Sequence, residues 1–143
     1  ADGDVSAALL AVDPDSPVDL LWGVGGTPEG VISAAAIKCL GGQLVGRLWA
    51  RGEEERRAAL DAGYDLERQL TVDDLVRSDD CFFSATGVTD GDVLQGVQYP
   101  PHPPGAGATT ESLVMRSRSG TVRRIHARHD RAKLRTIAGE RLG

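Results

Sequence analysis

Val18-Asp19-Leu20-Leu21-Trp22-Gly23-Val24-Gly25-Gly26-Thr27-Pro28-Glu29-Gly30-Val31 and the residues that follow it to Leu40 decide how this chain is read. Residues 18 to 24 form a compact apolar run bounded by prolines and glycines, which predicts a buried strand. Residues 31 to 40 are apolar nearly all round and end at Gly41-Gly42, which predicts a buried helix closed by a glycine cap. The turn between them carries glycines that let backbone approach a ligand, Thr27 at an expected N-cap, Pro28 at the first helical position and Glu29 in the first turn. Free N–H groups at a helix start attract anions such as phosphate. A glutamate there can equally serve only to favour the helix dipole.

Working outward, residues 3 to 12 place Val5, Leu9 and Val12 on one helical face, and Asp13-Pro14-Asp15-Ser16-Pro17 stops that helix. Gln43 to Ala50 alternates and predicts a strand with Trp49 near its end. Glu53 to Ala62 predicts a charged helix closed by Gly63 and covering one face of a sheet. Thr71 to Val76 reads as a capped helical turn, Cys81 to Val88 as a buried strand, Thr89 to Asp92 as a turn, and the chain then extends through Val97. Tyr99 to Ala108, with four prolines, is expected to be loop. Thr110 to Arg116 and Thr121 to Ala127, joined at Ser119-Gly120, predict a hairpin, and His129 to Leu142 a basic tail of weak helical character. The expected class is α/β, a mixed sheet with flanking helices.

Composition narrows the function. The 143 residues fit one domain of ordinary solubility, and with 4% aromatic residues the core must be aliphatic, which argues against base stacking on single-stranded nucleic acid. No apolar run approaches the roughly 18 residues that span a bilayer. Residues 1 to 115 carry a net charge of −12 and residues 116 to 143 a net charge of +7. Such a basic tail suits an acidic partner, a sister subunit or nucleic acid; the last is disfavoured because the acidic body repels a phosphate backbone and no base-reading motif accompanies the arginines. Cys39 and Cys81 lack CxxC spacing and are expected to be reduced, buried thiols of a cytoplasmic protein.

The glycine turn is neither a Walker loop, since no Gly-Lys-Ser/Thr follows, nor GxGxxG, since Pro28 takes the third glycine position. Asp2-Gly3-Asp4 offers two carboxylates that can accept from sugar hydroxyls, ligate a hard cation, or cap a helix. Asp90-Gly91-Asp92 lacks the further spacing of a calcium loop and is expected to make a turn. Arg123 and Arg124 fall on opposite faces of their strand, so at most one reaches a given anion.

Taken in order, Ala1-Asp2-Gly3-Asp4-Val5, Gly23-Val24-Gly25-Gly26-Thr27-Pro28-Glu29-Gly30-Val31, Phe83-Ser84-Ala85-Thr86-Gly87-Val88-Thr89-Asp90-Gly91-Asp92, and Thr109 to Ser112 with Arg116-Ser117-Arg118-Ser119-Gly120-Thr121-Val122-Arg123 resemble the C-terminal part of a class II fructose-1,6-bisphosphatase. The resemblance runs to about Ile125. It implies the layered fold of the lithium-sensitive, inositol-monophosphatase-like sugar phosphatases. The implied reaction removes the 1-phosphate of fructose 1,6-bisphosphate to give fructose 6-phosphate in gluconeogenesis.

Carried over by position, the resemblance makes Asp2, Gly3, Asp4 and Gly26 substrate contacts and Glu29 a ligand of Mg²⁺ or Mn²⁺. It also implies that residues 1 to 143 are the C-terminal part of a chain about twice as long. The absent N-terminal half would hold the other metal ligands and the catalytic segment, so this part alone is expected to be inactive. A homo-oligomer is expected, and no membrane partner. The alternative is a non-catalytic phosphosugar-binding or assembly module that keeps the fold without turnover.

Overall fold

The computed structural model describes residues 3 to 100 and 107 to 138. Helix α1 (Asp4–Leu10) ends before Asp13-Pro14, as its sequence requires, and buries Ala8 and Leu9. Helix α2 (Thr27–Leu40) is the longest helix and buries Ser33, Ala34, Ala36, Ile37 and Cys39. It closes on Gly41, whose φ of 72° is left-handed, and the Gly42 N–H reaches back to the Ile37 carbonyl at 3.0 Å. Strand β1 (Val45–Gly46) pairs antiparallel with β2 (Leu70–Thr71), and helix α3 (Glu53–Asp61) lies between them in sequence. Helix α4 (Val72–Leu75) starts with a capping box in which Thr71 and Asp74 exchange side-chain and backbone bonds.

The second sheet has three antiparallel strands in the order β3-β4-β5: β3 (Phe82–Thr86), β4 (Gly107–Arg116) and β5 (Thr121–Asp130). The predicted hairpin is present and longer than its sequence cues suggested, with Arg116 opposite Thr121 and Gly107 opposite Asp130. Gly120, at φ 59°, supplies the left-handed turn residue. Helix α5 (Arg131–Ala138) follows directly.

The core forms where α1 and α2 pack against one face of this sheet: Leu9, Ala36 and Cys39 meet Phe83, Leu113 and Met115. Small residues on α2 bring its backbone close to the strands. Met115, with 1% of its surface exposed, is the largest fully buried side chain. Cys39 and Cys81 are free thiols with their sulfurs 3.9 Å apart, and burial, helped by the neighbouring Cys81, pushes the Cys39 thiol up to about 11.

Polar ties complete the packing. Lys38 of α2 holds Asp73 at 2.8 Å, the Val76 carbonyl at 2.8 Å and Asp79 at 3.4 Å. Arg116 forks onto both carboxylate oxygens of Asp80, at 2.7 and 2.6 Å, while its guanidinium lies 5.1 Å from the Phe82 ring centre.

Four expectations need correction. Residues 18 to 24 are not a buried strand: the segment has no strand partners, and Leu20, Trp22 and Val24 are 75%, 91% and 70% exposed. An apolar run becomes a strand only where neighbouring backbone can complete its hydrogen bonds, and among the described residues none lies alongside. For the same reason the predicted strand over 43 to 50 shrinks to Val45–Gly46, leaving Trp49 exposed. Helix α3 covers no sheet and buries no residue. Helix α2 is capped by Gly26 rather than Thr27, with no side-chain cap bond. Part of the proline-rich loop, residues 101 to 106, lies outside the described residues.

Two measurements follow from this packing. Met115→Ala is expected to cost about 2–5 kcal/mol in urea unfolding, whereas Trp22→Ala should stay within about 0.5 kcal/mol in this chain. The Arg116 guanidinium holds the Asp80 carboxyl below its ordinary 3.8, so the pair's stabilisation is complete above that value and is lost as the pH falls through the lower folded-state pKa. Wild type and Asp80→Asn should therefore differ in thermal midpoint at pH 7 and converge as the pH falls through the depressed folded-state pKa of Asp80.

Candidate functional site

Of the residues flagged in the sequence, Gly26 and Glu29 lie together at the start of α2. Gly26 has φ −70° and ψ 153°, and its carbonyl accepts the Gly30 N–H at 3.0 Å, so the chain passes from extended segment to helix within one residue. The N–H groups of Thr27 and Glu29 precede the first complete helical bond, and Pro28 has none to offer. This leaves donors facing outward at the positive end of a 14-residue helix dipole.

Glu29 bends its carboxylate back over Gly26. A Cβ at position 26 would run into the Glu29 carboxylate oxygen Oε2, so the glycine is needed for this arrangement and not for a positive φ. Glu29 is exposed and makes no hydrogen bond or ion pair with any described residue. An acidic side chain held at a helix start without a partner is available to an external cation or donor. That distinguishes it from Asp73, Asp74, Asp80 and Glu111, each engaged by a neighbouring basic group.

Gly3 is the N-cap of α1 and its carbonyl accepts the Ala7 N–H at 3.2 Å. Asp2 and the side chain of Asp4 lie outside the described residues. Just beyond α1, Val12 packs beside Ile37 and Gly42 at the end of α2, so close that Gly42 has no room for a side chain without a shift. Followed back from that meeting point, α1 leads to Gly3 and α2 leads to Gly26.

Among the described residues no group of three or more His, Cys, Asp and Glu side chains could hold a metal ion. A hard divalent cation takes about six oxygen ligands. Glu29 supplies one carboxylate, so these residues by themselves do not make a metal site.

The other sequence candidates resolve as structure. Asp90 accepts the Gly96 N–H and the Gln98 Nε2, each at 2.9 Å, which makes its loop a turn. Gly96 is pressed against the Thr89 and Asp90 backbone, so the loop closes only with glycine there. Arg124 reaches Glu111 at 3.1 Å and the Val93 carbonyl at 2.9 Å, while Arg123, on the opposite face, makes neither contact. Sequence reading missed Glu111, an 8% exposed carboxylate on β4. The Gln95 N–H, at 2.7 Å, and Arg124 hold its carboxyl below the ordinary glutamate range. Its signal was available: position 111 shares the inward face of β4 with Leu113 and Met115.

Comparison with known proteins reports on the whole chain. The model of the family described as bacterial fructose-1,6-bisphosphatase, glpX-encoded, matches residues 1–129. The chain belongs to this family. It is 44% identical over 141 residues to fructose-1,6-bisphosphatase 1 class 2 of Escherichia coli strain K12, and equally to the class 2 enzymes of Escherichia coli O6:H1 and Shigella flexneri. Each alignment covers 90% of this chain and 41% of the relative, so this member of the glpX-encoded family spans about two fifths of the length of the curated relatives it matches. No helix among its described residues is long and apolar enough to cross a membrane.

Gly26→Ala tests the local geometry. The unfolding free energy is expected to change by less than about 1 kcal/mol, because the clash is with the end of a flexible side chain. The Glu29 carboxyl carbon should nevertheless shift clearly in NMR spectra as the carboxylate is driven off the helix start.

Proposed function

We propose that this chain is the C-terminal portion of a metal-dependent class II fructose-1,6-bisphosphatase. In that enzyme it contributes one carboxylate to the metal site and part of the sugar-phosphate site. The reaction is hydrolysis of the 1-phosphate of fructose 1,6-bisphosphate to fructose 6-phosphate and phosphate, in gluconeogenesis and in the cytoplasm. The observation that carries this reading is Glu29, an unengaged carboxylate held over Gly26 at the start of α2 in a chain whose family match covers residues 1–129.

In this reading Gly26 lets the substrate approach the backbone, and the outward N–H groups of α2 favour its phosphate. Asp2 and Asp4 accept from sugar hydroxyls, with Gly3 between them. Mg²⁺ or Mn²⁺ takes one oxygen from Glu29. Its remaining ligands come from the polypeptide that the relatives possess beyond this stretch, because the described residues offer no cluster that could hold a metal ion. The layered, inositol-monophosphatase-like arrangement belongs to the longer chain, in which the mixed α/β structure seen here forms one part. Homo-oligomeric assembly is part of the same proposal. The class 2 phosphatase names of the relatives favour catalysis over a purely binding module.

A phosphate-release assay with fructose 1,6-bisphosphate and Mn²⁺ tests this. The chain alone should give no turnover above buffer, and the chain joined to the remainder of the enzyme should turn over. Glu29→Gln in the joined form should lower the rate by at least about 100-fold, the scale of losing several kcal/mol of metal-assisted stabilisation. Robust turnover by the chain alone, or an unimpaired Glu29→Gln enzyme, would overturn the reading.

A further inference from the structure

Cys39 and Cys81 lie far apart in sequence, and the fold brings their sulfurs to 3.9 Å. Cys39, near the end of α2, has 3% of its surface exposed and belongs to the cluster of Leu9, Ala36, Phe83, Leu113 and Met115. Cys81 stands just before β3 at the edge of that cluster and is half-buried. Ser117 clamps its backbone: the Cys81 N–H donates to the Ser117 Oγ at 2.8 Å, and the Cys81 carbonyl accepts the Ser117 N–H at 3.0 Å. Each sulfur also faces the other element's backbone, Cys39 Sγ at 3.8 Å from the Cys81 carbonyl and Cys81 Sγ at 3.9 Å from the Ala35 carbonyl. A disulfide has an S–S length of about 2.05 Å, so each sulfur has to advance only about 1 Å to form one.

We propose that Cys39 and Cys81 are a reversible dithiol–disulfide pair, oxidised by small-molecule disulfides of the glutathione type at Cys81 and closing into a staple between the end of α2 and the start of β3. Unequal access orders the chemistry. Burial, helped by the neighbouring Cys81, holds the Cys39 thiol up at about 11, so near neutral pH it stays protonated and does not attack a disulfide in solution. Cys81, partly open to water, starts the exchange. It loses its proton, its thiolate attacks one sulfur of the small disulfide, a mixed disulfide forms and one small thiolate leaves. Cys39 then gives its proton to water and attacks the Cys81 sulfur, making the Cys39–Cys81 bond and expelling the second small thiolate. Two electrons and two protons pass from the protein to the small disulfide, which becomes two thiols, and the reverse exchange restores both cysteines. In reducing compartments disulfides are typically transient, and reversibility is part of the proposal.

The bond closes a loop over residues 39 to 81 that contains β1, α3, β2 and α4. This excursion is thinly packed: of residues 42 to 80 only Leu66 is buried. Lys38 ties it back to α2 through Asp73, the Val76 carbonyl and Asp79. A covalent link at the next residue reinforces the same closure, so oxidation stabilises the fold by restricting the unfolded chain.

The test incubates the 143-residue chain in a series of reduced and oxidised glutathione mixtures, traps it with acid, blocks free thiols and weighs it by mass spectrometry. The expected product is a monomer lighter by two hydrogen masses, with residues 39 and 81 joined in a non-reducing digest, and dithiothreitol should reverse it without denaturant. In urea the oxidised chain should show an unfolding constant lower by about a hundredfold. Cys39→Ala should stop at a mixed disulfide on Cys81, and folded Cys81→Ala should take up no glutathione. The wild-type measurements decide the matter even where a variant fails to fold. Both thiols free across the series, a wild-type product that stops at the mixed disulfide, linkage only to a second copy, or a bond reducible only after unfolding would each overturn the proposal. So would an oxidised chain no more stable than the reduced one, or attachment of glutathione to Cys39 in folded Cys81→Ala.

Discussion

The contact between α2 and the β3–β4 pair organises everything else described here. Ala36 and Cys39, fully withdrawn from water, let the helix backbone approach Phe83, Leu113 and Met115, and Leu9 of α1 closes the same cluster. With only 4% aromatic residues the chain has few large side chains to spend, so close approach of small residues does the work that ring packing does elsewhere. Lys38 then ties the outer side of α2 to Asp73, Asp79 and the Val76 carbonyl. Because the helix is anchored along its second half, its first turn projects from the core with its dipole and its carboxylate turned outward.

That asymmetry sets a packed second half of α2 against an open first turn. The buried residues of α2 begin at Ser33, whereas Val31 and Ile32 remain 38% and 49% exposed, and residues 19 to 25 before the helix are exposed. The half of α2 that carries the core is satisfied within this chain. The half that carries Gly26 and Glu29 is left open by the described residues, as is the segment that feeds it. Several exposed acidic groups, Asp19, Glu53 and Asp61 among them, are likewise without a partner among the described residues; what sets Glu29 apart is its place, folded over Gly26 at the start of α2.

Much of this was legible in the sequence where the controlling interaction was local. The Asp13-Pro14 stop, the Gly41 and Gly63 helix ends, the Thr71–Asp74 capping box and the Ser119-Gly120 hairpin depend on backbone chemistry within a few residues, and each is present. The strands expected at 18–24 and 43–50 depend on partners distant in sequence, and those partners are missing from the described residues. Apolar pattern reports that a segment seeks burial and cannot report what covers it. At the site, residue types and order pointed to Gly26 and Glu29, but the close approach of the Glu29 carboxylate to Gly26 is a tertiary detail that no spacing encodes. Glu111 escaped notice because its partners, the Gln95 N–H and Arg124, lie on other elements.

In the function proposed above, Glu29 is one donor of a metal site whose remaining donors lie on polypeptide beyond this stretch. Manganese titration followed by electron paramagnetic resonance addresses it directly, since free Mn²⁺ gives a strong signal and bound Mn²⁺ a weak one. The lone chain should leave the added Mn²⁺ free. The chain joined to the remainder of the enzyme should bind it stoichiometrically, and Glu29→Gln should abolish or severely weaken that binding. Tight Mn²⁺ binding by the lone chain, or binding by the joined form that is indifferent to Glu29→Gln, would rule out that role for Glu29.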